Sequence, residues 1–326
     1  MAPARMKPAS TLMVIVAFAT VYLVWGSTYF FIRIAIQGLP PLLMGAIRFL
    51  TAGSLMLIWA IVKREKIFNR KSLITSAVVG ILLLGGGNGC VIWVEQTLPS
   101  AMVAILVSAA PIWFVLLDRN NWTINFRSRS TLIGLAIGFV GVILLFGEQM
   151  DGMLAGGNIG AKLLSMALLI VGSICWSGGS IYSKNHPSQG SAVVNVAWQM
   201  IIAGLLFLPG SFLNHEFSDL HLSQVPAASW LAVLYLIIFG SIAGFSAYVW
   251  LLQVRPTTQV STYAYVNPVI AVILGVLFAG ERISFLQIGG LVIILSSVLL
   301  INLSKYRKSK GRDDSLAMPI MAEENV

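Results

Sequence analysis

Charge is what this chain has least of. Lys, Arg, Asp and Glu together make up 10% of its 326 residues, against 57% hydrophobic residues, and the mean hydropathy is +0.87. A soluble domain needs a charged exterior around its core, and so little charge cannot supply one; the bilayer is the expected solvent. Histidine is also scarce. The three present, His186, His215 and His221, all fall in loop segments, and no buried carboxylate pair accompanies them. That excludes the usual metal-ligand clusters and nucleophile–base constellations, so an enzyme is not expected and neither is a cofactor. The two cysteines, Cys90 and Cys175, sit inside apolar runs, where the ordinary role is that of a small buried hydrophobe rather than a disulfide or metal ligand. A phosphate-binding glycine loop is missing too. The one glycine cluster, Gly85-Gly86-Gly87-Asn88-Gly89, lies in the middle of an apolar run with no strand before it.

What is present is a succession of long apolar segments. Crossing a hydrocarbon core of about 30 Å takes roughly 20 residues at about 1.5 Å per residue. Ten such segments can be read, at about 10 to 36, 41 to 62, 73 to 97, 100 to 117, 130 to 147, 161 to 183, 190 to 213, 229 to 253, 257 to 279 and 284 to 303. Lipid satisfies no backbone groups and the alternation of a barrel strand is absent, so these are helices. The expected fold class is an all-α integral membrane protein.

The formal charge of +9 raises the question of a nucleic-acid partner, and the placement of the basic residues answers it. With the N-terminus in the cytoplasm, seventeen of the 21 Lys and Arg residues fall inside, only Arg33, Lys162 and Arg282 fall outside, and Arg48 lies within a span. This is the positive-inside bias of a membrane protein with both termini cytoplasmic, not a basic patch, and no nucleic acid is expected. Arg5 and Lys7 before an apolar run, with Ala17-Phe18-Ala19 following, imitate a signal peptide; the run continues through Phe31, so it is read as an uncleaved first span. The polar tail is expected to be disordered.

The chain also repeats. At an offset of 151, Trp25-Gly26-Ser27 meets Trp176-Ser177-Gly178, Arg33 meets Lys184, Ala52-Gly53 meets Ala203-Gly204 and Arg48 meets Gln199. Past the loop at 214 to 228 the offset becomes 157, and Trp93 meets Trp250, Gln96 meets Gln253, Pro99 meets Pro256 and Pro111 meets Pro268. Five helices per repeat is an odd number, so the second repeat enters the membrane from the opposite side. The expected organisation is a cytoplasmic segment 1 to 9, a first repeat 10 to 147, a periplasmic linker 148 to 160, a second repeat 161 to 303 and a cytoplasmic tail 304 to 326. Inverted repeats give two pseudo-symmetric states around a midplane site, which is what a carrier needs.

Arg48 lies about 10 Å into the membrane by helical rise. A charge at such depth costs at least about 2.5 kcal/mol unless it is paired or faces water. Glu95 is the acid nearest in depth. Two readings stay open: a charged element of a cavity that binds a zwitterion or exchanges a proton, or a structural ion pair between the second and third helices. Trp25, Trp93, Trp176 and Trp250 form two repeat-related pairs away from an ordinary interfacial belt, and either line a shared cavity or pack between helices. Tyr29, Asn88, Gln199, Tyr248, Tyr263 and Asn267 are polar groups at similar depth. Gly87 is read as a close approach or hinge, and Pro111 and Pro268 as symmetric kinks able to gate the site.

One ordered set of motifs resembles a known family. Trp25-Gly26-Ser27-Thr28-Tyr29 with Arg33, Arg48-Phe49, Gly87-Asn88-Gly89, Glu95-Gln96, Pro99-Ser100, Pro111, Ser261 to Pro268 and Gly280-Glu281 are similar to the EamA-type permeases of the drug/metabolite transporter superfamily, most of all its YedA-type inner-membrane members. The resemblance implies ten helices in two inverted five-helix EamA repeats, a central cavity, and a bacterial inner-membrane secondary transporter. It would move small amphipathic metabolites, amino acids or drugs, as an exporter by alternating access. An importer or exchanger of the same fold is the alternative, and a membrane-embedded enzyme or sensor the remote one. The resemblance makes Trp25, Trp93, Trp176, Trp250, Tyr248 and Tyr263 cavity residues. Gly280-Glu281 has no counterpart before the fifth helix, where Arg127 to Ser130 stand, so no symmetric role follows for Glu281. The partners expected are a small-molecule substrate, a proton as candidate coupling ion and membrane lipid, in a monomer or weak dimer.

Overall fold

The computed structural model describes residues 10–98, 100–154, 159–279, 284–286 and 288–301. Among them the chain is all helical and has six helices long and apolar enough to cross a membrane: α1 (Thr11–Ile36), α2 (Pro41–Val62), α3 (Arg70–Val94), α8 (Ile159–Asn185), α9 (Ala192–Leu213) and α11 (Ala227–Val254). Between and after them lie α4 (Ser100–Val107), α5 (Ala110–Leu117), α6 (Trp122–Arg127), α7 (Arg129–Leu154), the short α10 (Glu216–Asp219), α12 (Thr257–Val260), α13 (Tyr263–Ala279) and α14 (Ile288–Ile301).

Helix starts follow local chemistry. Ser10 caps α1 by accepting from the Met13 amide at 3.2 Å, and Asn69 caps α3 by accepting from Lys71 and Ser72. Pro41 opens α2 at a position where a missing N–H costs nothing. The start of α2 is capped from across the fold, because the buried Glu216 carboxylate accepts the Leu42 and Leu43 amides at 3.2 and 2.7 Å.

Of the four other expected spans, three are short or divided and one belongs to a pair of helices bent at 90°, so helix length gives six crossings among the described residues, or seven with the bent pair, and not ten. The segment 100 to 117 divides into α4 and α5, because Pro111 offers no N–H to the Val107 carbonyl and Ser108 turns its hydroxyl back onto Ala104 O at 2.7 Å. The segment 257 to 279 divides into α12 and α13 where the Ser261 and Thr262 hydroxyls donate to Thr258 O and Gln259 O. The segment 130 to 147 falls in α7, which meets the chain before it at 90°. The last span is α14. Of the expected kink prolines, Pro268 lies inside α13 and Pro111 at the first turn of α5. Gly280, Glu281, Arg282, Pro99 and both chain ends lie outside the described residues.

Two helices change pitch. Gly80–Asn88 of α3 and Leu236–Phe245 of α11 are wound as π-helix, and the two segments coincide almost residue for residue at the offset of 157 read from the sequence. Such i→i+5 winding loosens the backbone ladder and turns the residues beyond it onto a new face.

α2 packs along α9, α1 packs on α11 and α13, and α8 packs on α3 and α5. The α2–α9 crossing needs glycine. A Cβ on Gly53 would stand 2.7 Å from Ile201 Cγ1 and 2.8 Å from the Ala197 carbonyl, and one on Gly204 would stand 2.7 Å from Leu50 Cγ. Gly87 and Gly244 are likewise covered by Trp176 and Trp25, at 2.7 and 2.6 Å. We expect Gly53→Leu to destabilise the protein by about 1 to 3 kcal/mol through overpacking, seen as a lowered melting temperature in detergent. Gly289→Ala, where no atom lies within 4 Å of the added carbon, should leave the melt at or slightly above its starting point.

Candidate functional site

α1, α3, α8, α11 and α13 enclose a cavity with about 60 Å³ of space open to water, to which α2 contributes Arg48 and Phe49. By liquid measures that is room for about two waters or one small polar headgroup. Both π-wound segments form its walls: Leu84, Gly87 and Asn88 from α3, and Gly240, Ser241 and Phe245 from α11.

One side is an aromatic layer. Trp25 meets Trp176 edge to face at 5.3 Å between ring centroids, Tyr263 at 5.1 Å and Tyr248 at 4.8 Å; Trp176 and Tyr248 are 5.4 Å apart. Such contacts add about 0.5 to 1.5 kcal/mol each beyond area burial. The polar edges of the rings are fixed. Trp25 Nε1 donates to Gly240 O at 3.2 Å, and Trp176 Nε1 donates to the Tyr248 hydroxyl at 2.9 Å, which also bonds the Ser180 hydroxyl at 2.7 Å. The layer therefore presents ring faces to the cavity rather than unpaired N–H groups.

The other walls carry unmet polar groups. Arg48 is buried, donates through Nε to Ser241 Oγ at 2.8 Å, and lies 4.8 Å from the centre of the Phe49 ring. Its Nη1 has no partner, and the same is true of Asn88 Oδ1, Asn267 Oδ1 and Ser173 Oγ, all on residues that line the cavity. The Tyr29 hydroxyl lies beside the Asn267 amide. An unpaired buried polar atom costs about 1 to 3 kcal/mol, more for a charged one, so four on one small cavity make it the candidate binding site, although others, Ser76 Oγ and Ser297 Oγ among them, lie away from it.

The structure thus brings Trp25, Tyr29, Arg48, Asn88, Trp176, Tyr263, Asn267 and Gly87 to the cavity wall. It places others elsewhere. Tyr248 lies behind the aromatic layer, fully buried, and holds Trp176 in place. Pro111 and Pro268 adjoin the wall residues Ala110 and Asn267. Trp93 is on the outer surface, 36% exposed, and its repeat mate Trp250 packs partly buried against the core. Gln199 sits where α9 touches α3, its backbone closing on Gly80.

The expected Arg48–Glu95 ion pair is not formed. Arg48 Nη1 and both Glu95 carboxylate oxygens are without partners, and Glu95 instead lies by Arg33, whose Nη1 reaches the Glu95 carbonyl oxygen at 3.5 Å. Equal depth on neighbouring helices did not mean equal facing. Sequence reasoning also missed Ser241, which orients the guanidinium, and Ser173 and Thr28. Serine and threonine are common in such helices and carry no periodic signal, so only the cavity singles these out. Arg48→Ala and Glu95→Ala should accordingly affect stability additively, within about 0.5 kcal/mol, in a double-mutant cycle read by thermal denaturation. Tyr248→Phe removes the partner of both Trp176 Nε1 and Ser180 and should cost about 1 to 3 kcal/mol on the same assay.

The sequence profile of the EamA-like transporter family matches the chain twice, at residues 12–147 and 163–303. The uncharacterized inner membrane transporter YedA of Escherichia coli (strain K12) is 35% identical over 293 residues, covering 89% of this chain and 90% of that one. The uncharacterized transporter YvbV of Bacillus subtilis (strain 168) is 25% identical, covering 94% and 96%. A probable amino-acid metabolite efflux pump of Salmonella typhimurium (strain LT2) is 24% identical, covering 88% and 93%. A crystal structure at 17% identity superposes with a TM-score of 0.72 over 91% of this chain and 99% of the other, which shows a shared fold. With two copies of the family domain filling most of its length around a buried polar cavity, the chain belongs to the EamA-like transporter family, and is a membrane transporter rather than an enzyme.

Proposed function

We propose that this protein is a secondary transporter that exports small amphipathic metabolites bearing a carboxylate, amino acids among them, across the inner membrane by alternating access. The observation that carries the reading is the unpartnered Nη1 of buried Arg48, which faces a cavity whose other unmet atoms, Asn88 Oδ1, Asn267 Oδ1 and Ser173 Oγ, accept hydrogen bonds. A zwitterion matches that set. Its carboxylate takes the guanidinium N–H, its ammonium donates to the amide and hydroxyl oxygens, and its apolar part lies on Trp25, Trp176 and Tyr263.

Ten crossings in two inverted five-helix repeats underlie the cycle. Support comes from the double family match, from the reciprocal packing of Gly53 on Ile201 and Gly204 on Leu50, and from Trp25 on Gly244 matched by Trp176 on Gly87. Each is a contact that maps onto the other when the halves are exchanged. In this reading α4 with α5 forms one crossing, α12 with α13 another, and α7 and α14 the remaining two. The distribution of Lys and Arg supports cytoplasmic termini, and the relatives named as efflux pumps support export. The small cavity volume fits a closed conformation that has to widen on one side at a time. A proton remains the candidate coupling ion.

The test uses matched ligands. Among amino acids, the amines left by removing their carboxylates, and cationic aromatic compounds, only carboxylate-bearing ligands should raise the melting temperature of the purified protein. Arg48→Gln should weaken their binding by about 1.5 to 3 kcal/mol, roughly 10- to 150-fold, with Ser241→Ala giving a smaller loss. Equal stabilisation by the amines, or a folded Arg48→Gln protein with unaltered affinity, would sink the reading. Uptake of a radiolabelled ligand into inside-out but not right-side-out vesicles is the outcome expected for export.

A further inference from the structure

A second concavity lies on the outside of the fold, between α1 and the α12–α14 side, with about 440 Å³ of open space. Its length is lined by the apolar and small residues Val14, Ile15, Phe18 and Ala19 of α1, facing Val298 of α14, and it ends at Tyr22. Its other end carries Arg255 and Gln259. From residue 11 to residue 22 a helix rises roughly 16 Å, close to half of the roughly 30 Å hydrocarbon core, so the groove has the depth of one leaflet. Tyr22 closes the inner end, its hydroxyl bonded to the Thr262 hydroxyl at 2.6 Å.

The charged end is built rather than incidental. Arg255 follows the last turn of α11 in an extended conformation, and its Nη1 donates only to the neighbouring Val254 carbonyl at 3.2 Å. Lys184, at the end of α8, donates from Nζ to the Arg255 carbonyl oxygen and so fixes the backbone that carries the guanidinium. Among the described residues no carboxylate pairs with Arg255. A guanidinium and an amide at the mouth of an apolar groove one leaflet deep match an anionic headgroup attached to a hydrocarbon chain.

We propose that this groove binds one anionic phospholipid, with its phosphate on Arg255 beside Gln259 and one acyl chain lying along Val14 to Tyr22. The site is distinct from the cavity: the two share no wall residue, though α1 contributes to both, and it does not depend on the transported substrate. Bound there, a lipid would wedge α1 against α12 and α14, next to the Trp25 layer.

Native mass spectrometry of the full chain in detergent tests this, after delipidation and titration with phosphatidylglycerol or with phosphatidylcholine of the same acyl chains. We expect one phosphatidylglycerol retained per chain at least tenfold more tightly than phosphatidylcholine. Arg255→Gln should bring the two lipids to within about threefold of each other. Ala19→Trp, which fills the groove without touching the charges, should reduce retention of both, and decides the matter if the Arg255 variant fails to purify. Glycerol phosphate should not compete; if it does, the site recognises a free phosphate and the lipid assignment falls. Equal retention of the two lipids by the unaltered protein, or full phosphatidylglycerol retention by Ala19→Trp, means only annular lipid and overturns the proposal.

Discussion

Where α2 crosses α9, Gly53 lies against the Ala197 carbonyl and Gly204 against the Leu50 side chain, and neither position has space for a methyl group. In lipid there is no hydrophobic force to drive helices together, because the alternative solvent is as apolar as the helix face; close van der Waals packing has to do it. The rest of the bundle hangs on this crossing. α9 also receives α3 at Gly80, where a Cβ would run into the Gln199 carbonyl, and α2 leans on α11, so that Arg48 reaches Ser241. A shift of the crossing by one helical turn would remove the guanidinium from the cavity altogether.

The polar groups divide into two kinds with different consequences. Tyr22, Ser27, Ser180 and Tyr248 pair across helices and complete one another's bonds, which fixes the bundle. Arg48, Asn88, Ser173 and Asn267 are left incomplete at one place. Other unpartnered atoms, such as Ser76 Oγ, Ser211 Oγ and Ser297 Oγ, are scattered, and each reads as a local packing cost; these four converge. Their convergence beside an aromatic layer whose own N–H groups are satisfied is what separates a binding site from a stabilising network.

Of the ten apolar runs legible in the sequence, six stand among the described residues as helices long enough to cross a membrane, and the duplication is matched by two copies of the family profile. It could not show where a run would break, because Ser108, Ser261 and Thr262 read as ordinary small residues until their hydroxyls are seen competing for carbonyls. The repeat offsets sorted the tryptophans into pairs, and the pairs stay together: Trp25 and Trp176 at the cavity, Trp93 and Trp250 away from it. What failed was azimuth. A residue added per turn in a π-wound segment rotates everything beyond it by about 100° relative to an ordinary helical wheel. Trp93 and Trp250 both lie just past such a segment, so depth was legible for them and facing was not.

The same winding has a mechanical consequence at the cavity. Arg48 is oriented by Ser241, and Trp25 donates to the Gly240 carbonyl, so one π-wound stretch of α11 holds both a charged group and a ring of the site. The matching stretch of α3 carries Asn88 and closes on Trp176 at Gly87. Rewinding either stretch to an α-helix would turn its wall residues by about 100° per residue taken up, withdrawing Ser241 or Asn88 from the site while the α2–α9 crossing stayed in place. Two loosened segments thus flank one tightly packed crossing, and each closes on a tryptophan of the other half, α3 at Gly87 on Trp176 and α11 at Gly244 on Trp25.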